Sequence, residues 1–237
     1  MNLTDATILV VDDEPMLLEL FAAWLDVIGC KKVFTAANGE IALALLQRES
    51  IDLLLTDVRM PVMDGLALVR RLGELQGSLP SIVFVSGFGD VDRREMYALG
   101  VEAFIAKPFD RKELLTVLEN AVAERSTLWH TEMAQVPRQS LLIEADHLDE
   151  TASPTTIGLG RGGFSVCSSE PLGSGKLAFR LLLADSAVEI SGQGYVRWNS
   201  RTDCKIGIET VFLNPGCRDW LANEIDSSEP RSFIPGS

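Results

Sequence analysis

Five short apolar runs, each followed by a stretch of helical spacing, constrain this chain more than any other feature. The runs are Ile8 to Val11, Val33 to Ala36, Leu53 to Thr56, Ile82 to Ser86 and Phe104 to Ala106. Amphipathic stretches follow them at Met16 to Ile28, Glu40 to Arg48, Leu66 to Leu72, Val91 to Leu99 and Lys112 to Glu124. The alternation predicts βα units around a parallel sheet. Five such units within residues 1–125 predict one open α/β, doubly wound, five-stranded parallel sheet. Pro15 suits a first helical position, where its missing N–H costs nothing, and Asp110 suits the N-cap of the last helix.

That last helix is expected to continue. Leu114, Leu118, Ala121, Leu128, Glu132 and Val136 keep spacings near three or four, with no Gly or Pro before Pro137, which predicts a helical linker over residues 126–137. Such a linker can set the angle between two domains or support a homodimer through the last helix, although its apolar seam is too patchy for a coiled coil. After Pro137 glycine becomes frequent and a two-residue step takes over: Leu177, Phe179, Leu181 and Leu183, then Val188 and Ile190, Val196 and Trp198, Ile206 and Ile208. This predicts an antiparallel β-barrel over residues 138–226, closed by a helix from Pro215 to Ile225. The polar tail, residues 227–237, is expected to be disordered.

Composition narrows the function. The chain carries a formal charge of −13, and residues 126–237 hold 9 basic against 14 acidic side chains, a poor surface for gripping nucleic acid. No uninterrupted apolar run reaches the length of a membrane span, and the N-terminus lacks the basic start of a signal peptide, so a cytoplasmic chain without membrane insertion is expected. Cys30, Cys167, Cys204 and Cys217 form no C-x-x-C pair and read as free thiols. The second half offers His130, His147 and dispersed carboxylates but no nucleophile and base arrangement, so an enzyme is not expected.

In an open α/β sheet functional groups gather at the carboxyl ends of the strands. Asp12 and Asp13 follow the first strand, Asp57 the third, Ser86 ends the fourth, and Lys107 follows the fifth. Three carboxylates converging there repel one another unless a cation compensates, and Mg²⁺ suits their hard oxygens. An ammonium and a hydroxyl beside them complete a phosphoryl-binding set, with Asp57 as the nucleophile.

The text around these residues, VVDDEP at 10–15, LLLTDVRMPVMDG at 53–65, VSG at 85–87 and ALGVEAFIAKPF at 98–109, resembles the response-regulator receiver family over residues 5–125 or so. The resemblance implies Asp57 as phosphoacceptor and a histidine kinase or phosphotransfer protein as donor. It implies Asp13, Asp57 and the backbone carbonyl of Arg59 as Mg²⁺ ligands, with Asp12 acting mainly through water. It further implies Ser86 as the phosphate-sensing hydroxyl, Phe104 as an aromatic switch and a cis Lys107–Pro108 peptide.

Gly158, Gly160 and Gly163 match G-x-G-x-x-G, but a strand-like FSVC follows where a dinucleotide site needs a helix. IGLGRGGFSV, EPLGSGKLAFRLLL, GYVRWNS and KIGIETVFL instead resemble a PilZ domain over residues 137–226 or so, which raises cyclic di-GMP as a ligand. The ligand motifs depart from the family. Arg138 is followed at the fourth position by Leu142, and the second motif reads Gly158, Gly160 and Gly163. Glycine offers no side-chain donor for a dianionic dinucleotide, so little or no binding is expected and output to an unknown protein partner is favoured. The alternative is a dual sensor of phosphate and cyclic di-GMP, for which Arg161 and Arg197 are the remaining candidate contacts.

Overall fold

The computed structural model describes residues 1–75, 79–87, 92–130, 132–133, 137–168 and 172–236, excluding the side chains of Arg125 and Ser126. They form two compact units: Met1–Asp90 with Val101–Ala123, and Val91–Gly100 with Glu124–Ser237.

The first unit contains β1 (Thr7–Val11), α1 (Pro15–Val27), β2 (Lys32–Ala36), α2 (Gly39–Leu46), β3 (Leu53–Asp57), α3 (Gly65–Glu74), β4 (Ser81–Ser86), β5 (Val101–Ala106) and α5 (Arg111–Val122). The strands run parallel in the order β2-β1-β3-β4-β5, as the alternation predicts. Position in the sheet explains the residue choice. TILVV of β1 and LLLTD of β3 are buried along their whole length, whereas the edge strand β2 admits Lys32 and Thr35 at exposed positions. Pro15 opens α1, and the Asp110 carboxylate accepts the Glu113 N–H at 2.8 Å, capping α5. The Lys107–Pro108 peptide is cis.

The second unit contains α4 (Arg93–Ala98), α6 (Arg125–Leu128), β6 (Gln139–Ala145), β7 (His147–Asp149), β8 (Thr156–Leu159), β9 (Gly163–Cys167), β10 (Gly175–Leu183), β11 (Val188–Ser200), β12 (Lys205–Leu213) and α7 (Pro215–Ser228). The expected inward residues Leu177, Phe179, Leu181, Leu183, Ile190, Val196, Ile206 and Ile208 are all in the core, and Val188 packs half-buried against it. A register shift after Val196 turns Trp198 to the other face, over Gly207 and under Arg94. Phe164 meets Phe179 edge-on at 4.8 Å near the centre.

Strand direction corrects the sequence reading. The sheet runs β6-β10-β11-β12-β9-β8-β7 and is mixed, because β6 pairs parallel with β10 and β7 parallel with β8. It is a curled half-barrel rather than an antiparallel barrel. Alternation fixes which side chains face inward but is the same whichever way a neighbour runs.

Two further expectations are corrected. α5 stops at Val122, Ala123 is extended (ψ 146°), and only Arg125–Leu128 is helical again, so no continuous helix spans 126–137; residues 131 and 134–136 of that expected linker lie outside the described residues. Burial supplies the reason. Trp129 is 1% exposed within the second unit's core and its carbonyl accepts the Leu213 N–H at 3.1 Å, which a helix continuing from α5 would not deliver. The tail is ordered over its described residues, 227–236: α7 runs to Ser228, and Phe233 and Ile234 are completely buried, apolar burial offsetting the entropy of fixing the chain.

Candidate functional site

The carboxyl ends of β1, β3, β4 and β5 bring the predicted acidic residues together. Carboxylate oxygens of Asp12, Asp13 and Asp57 lie within 4.8 Å of one another. Lys107 Nζ reaches across from the end of β5, 2.6 Å from Asp57 Oδ2 and 3.0 Å from Asp12 Oδ2. The other Asp12 oxygen accepts the Glu14 N–H at 2.8 Å, and Asp57 Oδ1 accepts the Arg59 N–H at 3.1 Å. These bonds aim both carboxylates before any ligand arrives.

Charge in the pocket is unbalanced. Asp12 is 1% exposed, and burial pushes its carboxyl above the ordinary value despite the Glu14 N–H and Lys107. Burial pulls the Lys107 ammonium down, yet its bonds to Asp57 and Asp12 outweigh that and leave it above the ordinary lysine value. One ammonium thus bonds two of the three pocket carboxylates, and burial still disfavours the charged form of the one most withdrawn from water. Hard oxygen donors in such a deficit fit Mg²⁺.

Ser86 is 2% exposed at the end of β4, and its carbonyl accepts the Lys107 N–H at 2.8 Å. Register pairs Phe84 with Phe104 and Ser86 with Ala106, so Ser86 and the half-buried Phe104 share one face of the sheet.

Three contributors escaped the sequence reading. Glu14 Oε1 lies 3.8 Å from Lys107 Nζ as a peripheral carboxylate. Gly65 packs on the acceptor strand: a Cβ there would stand 2.2 Å from the Asp57 carbonyl oxygen, and its N–H donates to the Val58 carbonyl. Val62 adopts φ 73°, costly for a β-branched residue, in the loop between Asp57 and Gly65. The Asp-Gly pair at 64–65 signalled a tight approach; nothing signalled Val62.

The residues weighed for a nucleotide in the second unit do not converge in this way. Arg138 and Leu142 are exposed, while Gly158, Gly160 and Gly163 are buried. A Cβ on these glycines would meet Ser165 Oγ at 2.5 Å, the Phe233 carbonyl at 2.5 Å and the Ile208 carbonyl at 2.0 Å respectively. Arg161 donates to the Gly100 carbonyl at 2.8 Å, and Arg197 is ion-paired with Glu209.

An acidic pocket at the strand ends of a doubly wound sheet, bridged by a lysine, brings together the groups that a phosphoryl-accepting domain requires. Residues 8–119 match the response regulator receiver domain family. A 14.6 kDa uncharacterized protein of Leptolyngbya boryana is 37% identical over 120 residues, covering 50% of this chain and 91% of that protein. Response regulator Rre1 of Synechocystis is 38% identical over 122 residues, covering 50% of this chain and 52% of that protein. The uncharacterized transcriptional regulatory protein YesN of Bacillus subtilis is 26% identical over 209 residues, 86% of this chain and 56% of that protein. Residues 8–119 are thus a response-regulator receiver domain of the two-component type. The chain spans about half the length of Rre1 and YesN. Among the described residues no helix is long and apolar enough to cross a membrane.

Proposed function

We propose that the chain is a regulator switched by phosphorylation of Asp57, with a histidine kinase or phosphotransfer protein as donor and the half-barrel unit as a protein-binding output. The observation that carries this reading is Lys107 Nζ lying between Asp57 and Asp12, at 2.6 and 3.0 Å.

In the reaction a carboxylate oxygen of Asp57 forms the new bond to phosphorus while the donor's P–N bond breaks and the imidazole leaves with the electron pair. Asp12, Asp13, Asp57 and the Arg59 carbonyl would hold Mg²⁺, which when bound offsets charge on the phosphoryl oxygens. Lys107 is placed to transfer its hydrogen bond from the Asp57 carboxylate to the phosphoryl group, keeping the ammonium's charge beside the growing anion. Ser86 donates its hydroxyl to a second phosphoryl oxygen. Drawing Ser86 inward frees space on the face it shares with Phe104, which turns in behind it. Asp57→Asn should abolish labelling by radiolabelled acetyl phosphate in millimolar Mg²⁺. Undiminished labelling would refute the assignment.

The half-barrel keeps its likeness to a PilZ domain in the order of its motifs, yet the close packing of Gly158, Gly160 and Gly163 supports a structural role for these glycines. With Arg161 and Arg197 already engaged, this favours protein recognition with little or no cyclic di-GMP binding. Isothermal titration should detect no low-micromolar binding of cyclic di-GMP, and such binding would restore the dual-sensor alternative.

A further inference from the structure

The glycine-rich turn has an occupant, and it is the segment Arg231–Gly236 of the same chain. The Arg161 N–H donates to the Ser232 carbonyl and the Gly162 N–H to the Phe233 carbonyl, each at 2.9 Å. The Phe233 ring fills the space above Gly162, where a Cβ would stand 2.0 Å from ring carbons. On its other side the same segment holds α4. The Phe233 N–H donates to the Tyr97 carbonyl at 2.9 Å, the two rings stack with centroids 5.8 Å apart, and Arg94 Nε donates to the Gly236 carbonyl. Gly100, at φ 91°, comes so close to the tail that a Cβ would lie 2.6 Å from the Arg231 carbonyl.

A helix of six residues has little stability of its own, because nucleation is costly and few hydrogen bonds follow. α4 therefore depends on what it packs against, and within its unit the terminal segment supplies a ring stack and backbone hydrogen bonds. α4 is also tied through the chain to the acceptor site: it starts seven residues after Ser86 and ends nine before Lys107.

We propose that residues Arg231–Gly236 are a strap that seats α4 against the glycine-rich turn, and that the seat is a peptide-binding groove filled in cis. Occupancy of the groove and the phosphorylation state of Asp57 are linked, each biasing the other as binding equilibria sharing one element must. The link rests on the phosphoryl-acceptor reading above; the strap itself does not.

Hydrogen–deuterium exchange on the full chain tests both parts. Phe233→Ala should speed exchange of the Met96, Leu99 and Gly100 amides at least tenfold while β1, β3, β11 and β12 keep their protection. A chain ending at Ile234 retains the Phe233 ring but loses the Arg94–Gly236 bond, and should speed the same amides to a smaller degree. Beryllofluoride with Mg²⁺ should change α4 exchange in the unsubstituted chain and change it much less in Phe233→Ala. Exchange in α4 within twofold of the unsubstituted chain in Phe233→Ala overturns the strap. Should Phe233→Ala unprotect β11 and β12, the chain ending at Ile234 decides, and unchanged α4 exchange there overturns it equally. An equal beryllofluoride response with and without Phe233, or an unresponsive α4 while the amides beside Asp57 at the end of β3 gain protection, overturns the linkage alone, and no response at either place in the unsubstituted chain counts against phosphorylation at Asp57.

Discussion

Substituting Gly163 by alanine separates a packing role for the glycine motif from a ligand role. The added Cβ would stand 2.0 Å from the Ile208 carbonyl oxygen, where ordinary contact begins near 3.4 Å, so β9 and β12 must part by more than an ångström. They pair through Gly163 with Glu209 and Phe164 with Ile208, and the Gly163 carbonyl also accepts the Gly160 N–H at 2.8 Å. Overpacking of this kind costs about 1–3 kcal/mol, and a disturbed hydrogen bond adds about 1 kcal/mol. The expected loss is about 3 kcal/mol, or roughly 12 °C in Tm at about 4 °C per kcal/mol for a unit of this size. Trp129, Trp198 and Trp220 belong to the second unit and only Trp24 to the first, so urea denaturation followed by tryptophan emission reports mainly the altered unit. Gly73 in α3 is the control: a Cβ there meets nothing within 4 Å, and alanine should gain up to about 1 kcal/mol by helix propensity. A Gly163→Ala chain within about 0.5 kcal/mol of the unsubstituted one, the range of ordinary surface substitutions, would refute the packing argument.

Lys107→Met should destabilise the first unit in EDTA by about 2 kcal/mol, less than a fully buried pair because Lys107 keeps 22% exposure; millimolar Mg²⁺ should stabilise the variant more than the unsubstituted chain, as read by calorimetry. Trp129→Ala should cost the second unit about 3–5 kcal/mol, whereas a solvated linker residue would cost almost nothing; urea titration followed by far-ultraviolet circular dichroism distinguishes them. The Arg94 guanidinium, 2.6 Å away, holds the Asp203 carboxyl down to about 2 from 3.8, so this pair contributes above pH 3.8 and its contribution is lost as pH falls through 2. Protection of the α4 amides should accordingly fall between pH 4 and 2, and Asp203→Asn should flatten that dependence.

Legibility in the sequence followed the range of the interaction. The first sheet was readable because β1 and β3, buried on both faces, had to be written in nearly unbroken apolar residues. Its pocket was readable because strand ends gather side chains whatever the loops do, so Asp12, Asp57, Ser86 and Lys107 announced themselves by position. In the second half, Leu177 to Leu183 announced a face but not a direction, and the parallel pairing of β6 with β10 has no periodic signature. The helical spacing through Leu128 to Val136 was misleading because Trp129, which interrupts it, is a core residue of the second unit. The burial of Phe233 was hidden for a similar reason: two apolar residues among prolines and serines look solvated until the bare surface of Gly162 is known.

The distance along the chain between α4 and its strap sets an order of events in biosynthesis. Arg94 and Gly236 are 142 residues apart in sequence, and closing a loop of that length is entropically slow compared with building the local β11–β12 hairpin. α4 leaves the ribosome well before the segment that seats it has been made. Until Phe233 has emerged α4 is therefore without the ring that stacks on Tyr97, and the seated helix is a late folding event.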